Sequence, residues 1–257
     1  MTERLALVRP PGPRLGDGAR THLAREPIDV ERARDQHADW CAILASLGVE
    51  VVALPELPEL PDAAFVEDTA VVLDAVAVIA RPGLAARRAE VPGVEAALAA
   101  HRELVRIPDH ARLDGGDVLV LDDTLYVGQS SRTDHAGLKS LAHLVLPFGH
   151  RVKAVEVRGC LHLKTACTAL AEDVVLANPD WVDLHRMRDV ERVEVHPDEP
   201  FGANVVRVGD TVLCSAAYPR TAERVAARGL EVRAVEVDEL HKAEAGLSCL
   251  ALILESP

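Results

Sequence analysis

The sequence is short of positive charge: 28 Lys and Arg stand against 41 Asp and Glu, a net charge of −13 at pH 7. It offers no basic face to phosphates, which excludes nucleic acid and anionic membranes as partners, whereas its field would draw in a cationic substrate. No stretch approaches the ~20 apolar residues of a membrane span. The opening MTERLALVRPPG is too short in its apolar part, and too broken by charge, for a signal peptide. A soluble cytoplasmic protein is expected. Cysteines are few, and Cys41, Cys160, Cys167, Cys214 and Cys249 lack the close regular spacing of a disulfide scaffold or a zinc ribbon, so reduced thiols are expected. Cys160 and His162 could supply two metal ligands, but no CxxC and no HExxH supplies the rest, and no metal or organic cofactor is expected.

What is present is a core-forming composition, 49% apolar over 257 residues, arranged in a unit that recurs about every 40 to 50 residues. Each unit opens with two strands around a polar turn: FVEDTAVVLDAVAVIARPG (65–83), LDGGDVLVLDDTLYVGQS (113–130), LHLKTACTALAEDVVLANPD (161–180) and GANVVRVGDTVLCSAA (202–217). A helix and a β-branched strand follow: 88–101 then ELVRI, 134–147 then VKAVEV, 180–188 then VERVEV, and 220–228 then LEVRAVEV.

The fifth unit is split between the termini. GLSCLALIL near the C-terminus is its first strand, RLALVR its second and 30–48 its helix, with Ala33, His37, Trp40, Leu44 and Leu47 on one face, and VEVVAL closes it. Units that complete one another across the termini must form a ring, because an open array would leave unpaired edges. The expected fold class is therefore a five-bladed α/β-propeller of ββαβ repeats, with residues 1–257 as one domain. RPPGPRLGDG (9–18) and PELPELPD (55–62) are surface loops, the first a candidate lid.

In such a ring, equivalent positions face a common axis. Glu67 and Asp68, Asp114 and Asp117, His162, Asn204 and Cys249 all fall near the start of a first strand, so they are expected to converge. Singly, each has a plainer explanation: a cysteine in an apolar strand is ordinarily core, LDGGDV reads as a glycine-permitted turn or bulge, and Arg87 and Arg132 read as surface charges at helix entries. Together they are a thiol with an imidazole to move its proton, a carboxylate to orient that imidazole, and further acids suited to a planar guanidinium.

The motifs DVERARDQH, LPDAAFVEDTAVV, RPGLAARRAEV, LDGGDVL, SSRTDHAG, LHLKTACTAL and LSCLALIL, in this order, resemble the dimethylarginine dimethylaminohydrolase family of guanidino-modifying enzymes, which has the pentein fold. The resemblance implies Cys249 as nucleophile, His162 as general acid/base and Asp114 as the acid supporting it. It also implies that Glu67 and Asp68 hold the guanidino group, Asp62 meets the substrate α-amine, and Arg87 and Arg132 clamp the α-carboxylate. Phe65, Ala243 and Glu244 are implied as further substrate contacts. The implied substrate is a methylated arginine, converted to citrulline and an amine, and the implied assembly is a homodimer.

Glu244 and Ala245 precede GLSC where the family often has Asp and Gly, and Arg20 stands where an apolar lid residue is common. An arginine deiminase would use the same Cys/His/acid set to release ammonia but typically carries an additional helical domain, for which no segment lies between the repeats. An amidinotransferase is usually longer as well, and a non-catalytic protein that sequesters arginine or methylarginine would keep the same pocket.

Overall fold

The computed structural model describes residues 4–187 and 190–255. Five three-stranded sheets follow one another along the chain, and in each the middle strand pairs antiparallel with the first and parallel with the third. The sheets are Ala70–Val72, Val76–Ile79 and Glu103–Arg106; Val118–Leu121, Thr124–Gln129 and Arg151–Glu156; Cys167–Ala169, Val174–Ala177 and Glu191–Glu194; Val206–Val208, Thr211–Ser215 and Glu231–Val235; and Ala251–Glu255, Arg4–Val8 and Val49–Ala53. The last sheet joins the termini, with Leu7 opposite Leu252 and Val8 opposite Ala251. Residues from the first strand of every sheet line one axial channel of about 1000 Å³. This is the five-bladed α/β-propeller that the repeat implies.

Local signals explain the helices. Asp29 accepts a hydrogen bond from the backbone N–H of Arg32 and caps Val30–Ser46, and Asp134 does the same for His135–Val145 through Gly137. Such side-chain acceptors satisfy amides that have no partner within the helix. Helix Val30–Ser46 buries Ala33, Gln36, His37, Trp40 and Leu44, while Leu47 lies just past its end and is partly buried.

The helix expected over 180–188 does not form: its described part contains only a single 3₁₀ turn, Leu184–Arg186, and residue 188 lies outside the described residues. Tertiary pairing overrides helix propensity here. The N–H of Arg158 donates to the carbonyl of Trp181, Val182 bridges to Val157, and Asp183 caps the short turn instead of a longer helix. No helix among the described residues is long and apolar enough to cross a membrane.

Leu7 is 1% exposed and packs with Leu252 and Leu254 of its own sheet and with Val66, Ala70 and Ile79 of the next unit. Leu7→Ala is therefore expected to lower the unfolding free energy by about 2–5 kcal/mol, read from urea denaturation. A loss below about 1 kcal/mol would show that the closing strand is not part of the cooperative core.

Candidate active site

A turn of helix precedes the first strand in four of the five units: Val66–Thr69, Gly115–Asp117, Leu163–Ala166 and Ser248–Leu250. Glu67 and Asp68 lie in the first turn and Cys249 in the last, while Asp114 and His162 immediately precede the other two. These residues were expected at the starts of the strands and instead sit about one turn earlier. Asn204 precedes its strand without such a turn.

The turns bring the groups together at one mouth of the channel. Cys249, His162, Asp62, Phe65, Asp68, Arg87, Arg132, Ala243 and Glu244 line a pocket of about 330 Å³. Asp114 is fully buried behind His162, and Glu67 lies at the floor, where it lines the channel.

His162 Nε2 is 3.0 Å from Asp114 Oδ2, and Nδ1 is 3.7 Å from Asp68 Oδ1. Asp114 is fixed in turn: Gly83 N–H donates to its Oδ1 at 2.7 Å, and Thr133 Oγ1 accepts from its backbone N–H. Asp117 accepts from the N–H of Leu163, the residue after His162, and from Ser130. Burial alone would lower the imidazole pKa, but Asp68, Asp117 and Asp114 outweigh it and raise the value to about 9, so His162 rests as an imidazolium at neutral pH.

The glycines of LDGGD are required by close approach rather than by a turn, since neither has a positive φ. A Cβ at Gly115 would lie 2.0 Å from the carbonyl oxygen of Glu67, and one at Gly116 would lie 2.8 Å from His162 Nδ1. The turn expected of the motif does form, over Gly115–Asp117, but close approach and not a positive φ is what excludes a Cβ there.

Arg87 is buried, and its neighbours use most of its donors. Its Nε and Nη2 donate to Glu90, Nη2 also donates to the carbonyls of Asp62 and Phe65, and Nη1 is paired with Asp68. Burial opposes the ionised form of Asp68, but His162 and Arg87 prevail and lower its pKa to about 2. Arg132 differs: among the described residues its guanidinium meets no hydrogen-bond acceptor, and its nearest carboxylate is Asp114, at 3.9 Å.

Asp62 accepts from Ala19 N–H at 3.4 Å and so meets the loop that continues from the candidate lid. Glu244 also turns to that loop. Its Oε1 accepts from the backbone N–H of Thr21 and of Leu23, at 2.7 and 2.6 Å, and from that of His22.

Lys164, Ser248 and Glu90 escaped the sequence reading, whereas Asn204 was among the residues expected to converge. Lys164 Nζ stands 2.6 Å from Glu67 Oε1, Ser248 Oγ donates to Glu67 Oε2 at 2.9 Å, and Asn204 donates to Ser248 Oγ and to the carbonyl of Lys164. Glu90 was signalled only by standing three residues after Arg87, and Lys164 only by its place in LHLK. Burial raises the Glu67 pKa, while Lys164 and Ser248 favour its ionised form.

Cys249 Sγ accepts from Gly246 N–H at 3.4 Å. Burial, then the charges of Glu67 and Asp68, push its thiol far above the ordinary value, against the weaker pull of Gly246 and Lys164. Ligand atoms of Asp68, Asp114 and His162 lie within 4.8 Å of one another, a spacing that suits a metal ion as well as a proton relay.

The family model for arginine deiminase matches residues 56–201. The N(G),N(G)-dimethylarginine dimethylaminohydrolase of Streptomyces coelicolor is 40% identical over 256 residues, covering 99% of this chain and 98% of that protein. Its namesake from Pseudomonas aeruginosa is 30% identical, covering 96% and 97%. A crystal structure of the P. aeruginosa enzyme, a cysteine-to-serine variant complexed with citrulline, superposes with a TM-score of 0.89 at 28% identity and 99% coverage of both chains. A histidine-to-glycine variant of a dimethylarginine dimethylaminohydrolase, as an adduct with S-methyl-L-thiocitrulline, superposes at 0.92 with 29% identity, covering 99% of this chain and 100% of that one.

The raised His162 value carries a stability signature. A group whose folded-state pKa is raised stabilises the fold below its unfolded value, and that contribution vanishes as pH rises through the folded value. The urea midpoint of the wild type, compared with that of His162→Asn, is therefore expected to fall between the ordinary value of 6.5 and about 9. A difference that stays constant across this window would refute the charged resting imidazole.

Proposed function

Because the chain belongs to the dimethylarginine dimethylaminohydrolase family of the pentein superfamily, we propose that it hydrolyses dimethylarginine to citrulline and dimethylamine through a covalent adduct on Cys249, with monomethylarginine as a second substrate. The observation that carries the chemistry is the placing of Cys249 and His162 on one pocket, with Asp114 bonded behind the imidazole. The reading extends to residues 1–257 acting as one catalytic domain. It also extends to a homodimer, and to the cytoplasm, whose reducing conditions suit five unpaired thiols.

The free site holds a protonated thiol and an imidazolium. Glu67 and Asp68 disfavour the thiolate, and a guanidinium bound against them offsets that repulsion, so ionisation of Cys249 follows substrate binding. The thiol proton leaves to solvent. The thiolate attacks the guanidinium carbon, and His162 gives its proton to the departing dimethylamine. Nδ1 is the nitrogen left for this transfer, because Nε2 is held by Asp114. Neutral His162 then takes a proton from water, which adds to the thiouronium carbon. Collapse expels the thiolate and forms the citrulline carbonyl, and the hydroxyl proton returns to the sulfur to restore the thiol.

At the amino-acid end, Arg132 has donors available for a carboxylate, and Asp62 is the acid suited to the α-ammonium. Phe65, Ala243 and Glu244 complete this end of the pocket. In this reading the Arg87 side chain acts chiefly by holding Asp68 and the backbone at Asp62 and Phe65, and it has one donor direction left for substrate.

The family match to arginine deiminase supports a second reading, in which arginine itself is the substrate and ammonia leaves. One assay separates the two: asymmetric dimethylarginine, monomethylarginine and arginine are each incubated with the protein, and citrulline, methylamines and ammonia are measured separately. Dimethylamine with citrulline is expected; ammonia from arginine alone would favour the deiminase, and binding without turnover a sequestering protein. Cys249→Ser is expected to lower kcat at least about a thousandfold, while Arg132→Leu should mainly raise KM. Undiminished turnover in Cys249→Ser would end the covalent mechanism.

A further inference from the structure

The chain has only two Trp, two Tyr and three Phe, yet Trp181, Phe201 and Tyr218 gather around one histidine beside the active site. The ring of His241 meets Phe201 edge-on at 5.3 Å and Tyr218 at 5.7 Å, and Trp181 packs edge-on against Phe201 at 4.7 Å. Edge-on packing of this kind fixes ring orientation. The mechanism above does not use His241.

Its two nitrogens are both engaged. Tyr218 Oη is 2.7 Å from Nε2, and Nδ1 is 3.3 Å from the carbonyl oxygen of Ala245. A carbonyl can only accept, so Nδ1 carries the hydrogen and Nε2 accepts from the tyrosine hydroxyl. Burial lowers the His241 pKa and raises that of Tyr218, which keeps both neutral and suits this arrangement. The Ala245 carbonyl belongs to the same peptide unit as the N–H of Gly246, the group that donates to Cys249 Sγ. The four partners form one directed chain: Tyr218 hydroxyl, His241 imidazole, the 245–246 peptide and the Cys249 sulfur.

We propose that Tyr218 and His241 are positioning residues for the nucleophile, acting through the Ala245–Gly246 peptide to aim and polarise the N–H that stabilises the Cys249 thiolate. The proposal rests on Cys249 being the nucleophile. Each bond in such a chain strengthens the next, because a donor whose carbonyl end accepts a hydrogen bond becomes more acidic at its N–H end. The peptide dipole then opposes the two acids that disfavour ionisation of Cys249. A neutral relay adds no charge to the pocket, so it can act without competing with Glu67 and Asp68 for the substrate guanidinium.

The test uses the intact protein and four variants: Tyr218→Phe, His241→Phe, His241→Asn and Cys249→Ala. Two quantities are read: kcat and KM on asymmetric dimethylarginine, and the pH dependence of Cys249 alkylation by 2-chloroacetamidine, an amidinium electrophile. Tyr218→Phe keeps the ring and removes only the hydroxyl; it is expected to lower kcat about threefold, with KM little changed. His241→Phe is expected to cost about tenfold in kcat. In both, the alkylation profile moves to higher pH. His241→Asn, whose amide N–H can reach the Ala245 carbonyl, is expected to recover most of the loss.

Unchanged alkylation profiles in Tyr218→Phe and His241→Phe would overturn the relay, as would a change confined to KM. Should His241→Phe fail to fold, Tyr218→Phe decides alone. The nucleophile reading fails separately, by turnover or alkylation of Cys249→Ala at the wild-type rate.

Discussion

Charge compensation inside the channel mouth is the constraint on which the rest of the structure depends. Glu90, Asp114 and Asp117 are at most 1% exposed, and Glu67 and Asp68 are scarcely more so. Burying a carboxylate without partners is costly enough that it would rather protonate. Each acid is therefore met: Glu67 by Lys164, Asp68 and Glu90 by Arg87, Asp114 by His162, and Asp117 by Ser130 and the Leu163 amide. The network also sets the chemistry. Asp68 acts on both groups: it helps to charge His162 and, with burial and Glu67, helps to keep the free Cys249 thiol protonated.

Such a network needs its members to come from different parts of the chain, and the closed ring supplies that. Helical turns from four units aim side chains into one mouth, and the strands that follow line the channel below. The terminal sheet matters because Cys249 lies in the turn that leads into it. Pairing of Arg4–Val8 with Ala251–Glu255 anchors the strand that follows the turn carrying Cys249, so closure of the fold also places that side chain.

The repeat was legible because each blade writes the same pattern of Val, Leu and Ile around a polar turn, and the split unit could be joined by matching its two halves to that pattern. The convergence of Glu67, Asp68, Asp114, His162 and Cys249 followed from register. The helical turns that carry these residues did not show, since three- or four-residue segments have no period to read. The missing helix around 184 was hidden for another reason: its backbone is claimed by residues 157 and 158, a contact no local pattern records. The glycines of LDGGD carried a signal, but the space that excludes a Cβ is made by Glu67, Asp68 and His162, none of them a sequence neighbour.

The segment 241–246 shows why its side of the pocket resists reading from sequence more than the Cys249 and His162 side does. Glu244 adopts a positive φ of 62°, a conformation that L residues with a Cβ seldom hold without compensation. The compensation is visible in its carboxylate, which gathers three successive backbone amides of the 21–23 loop. A position implied as a substrate contact thus spends its carboxylate on the 21–23 loop. One residue further on, the carbonyl of Ala245 serves His241, and the next amide serves Cys249. The 21–23 loop, His241 and Cys249 therefore hang on adjacent residues of one segment. Changes at these positions cannot be independent, since rotating the 245–246 peptide to suit one partner withdraws it from another.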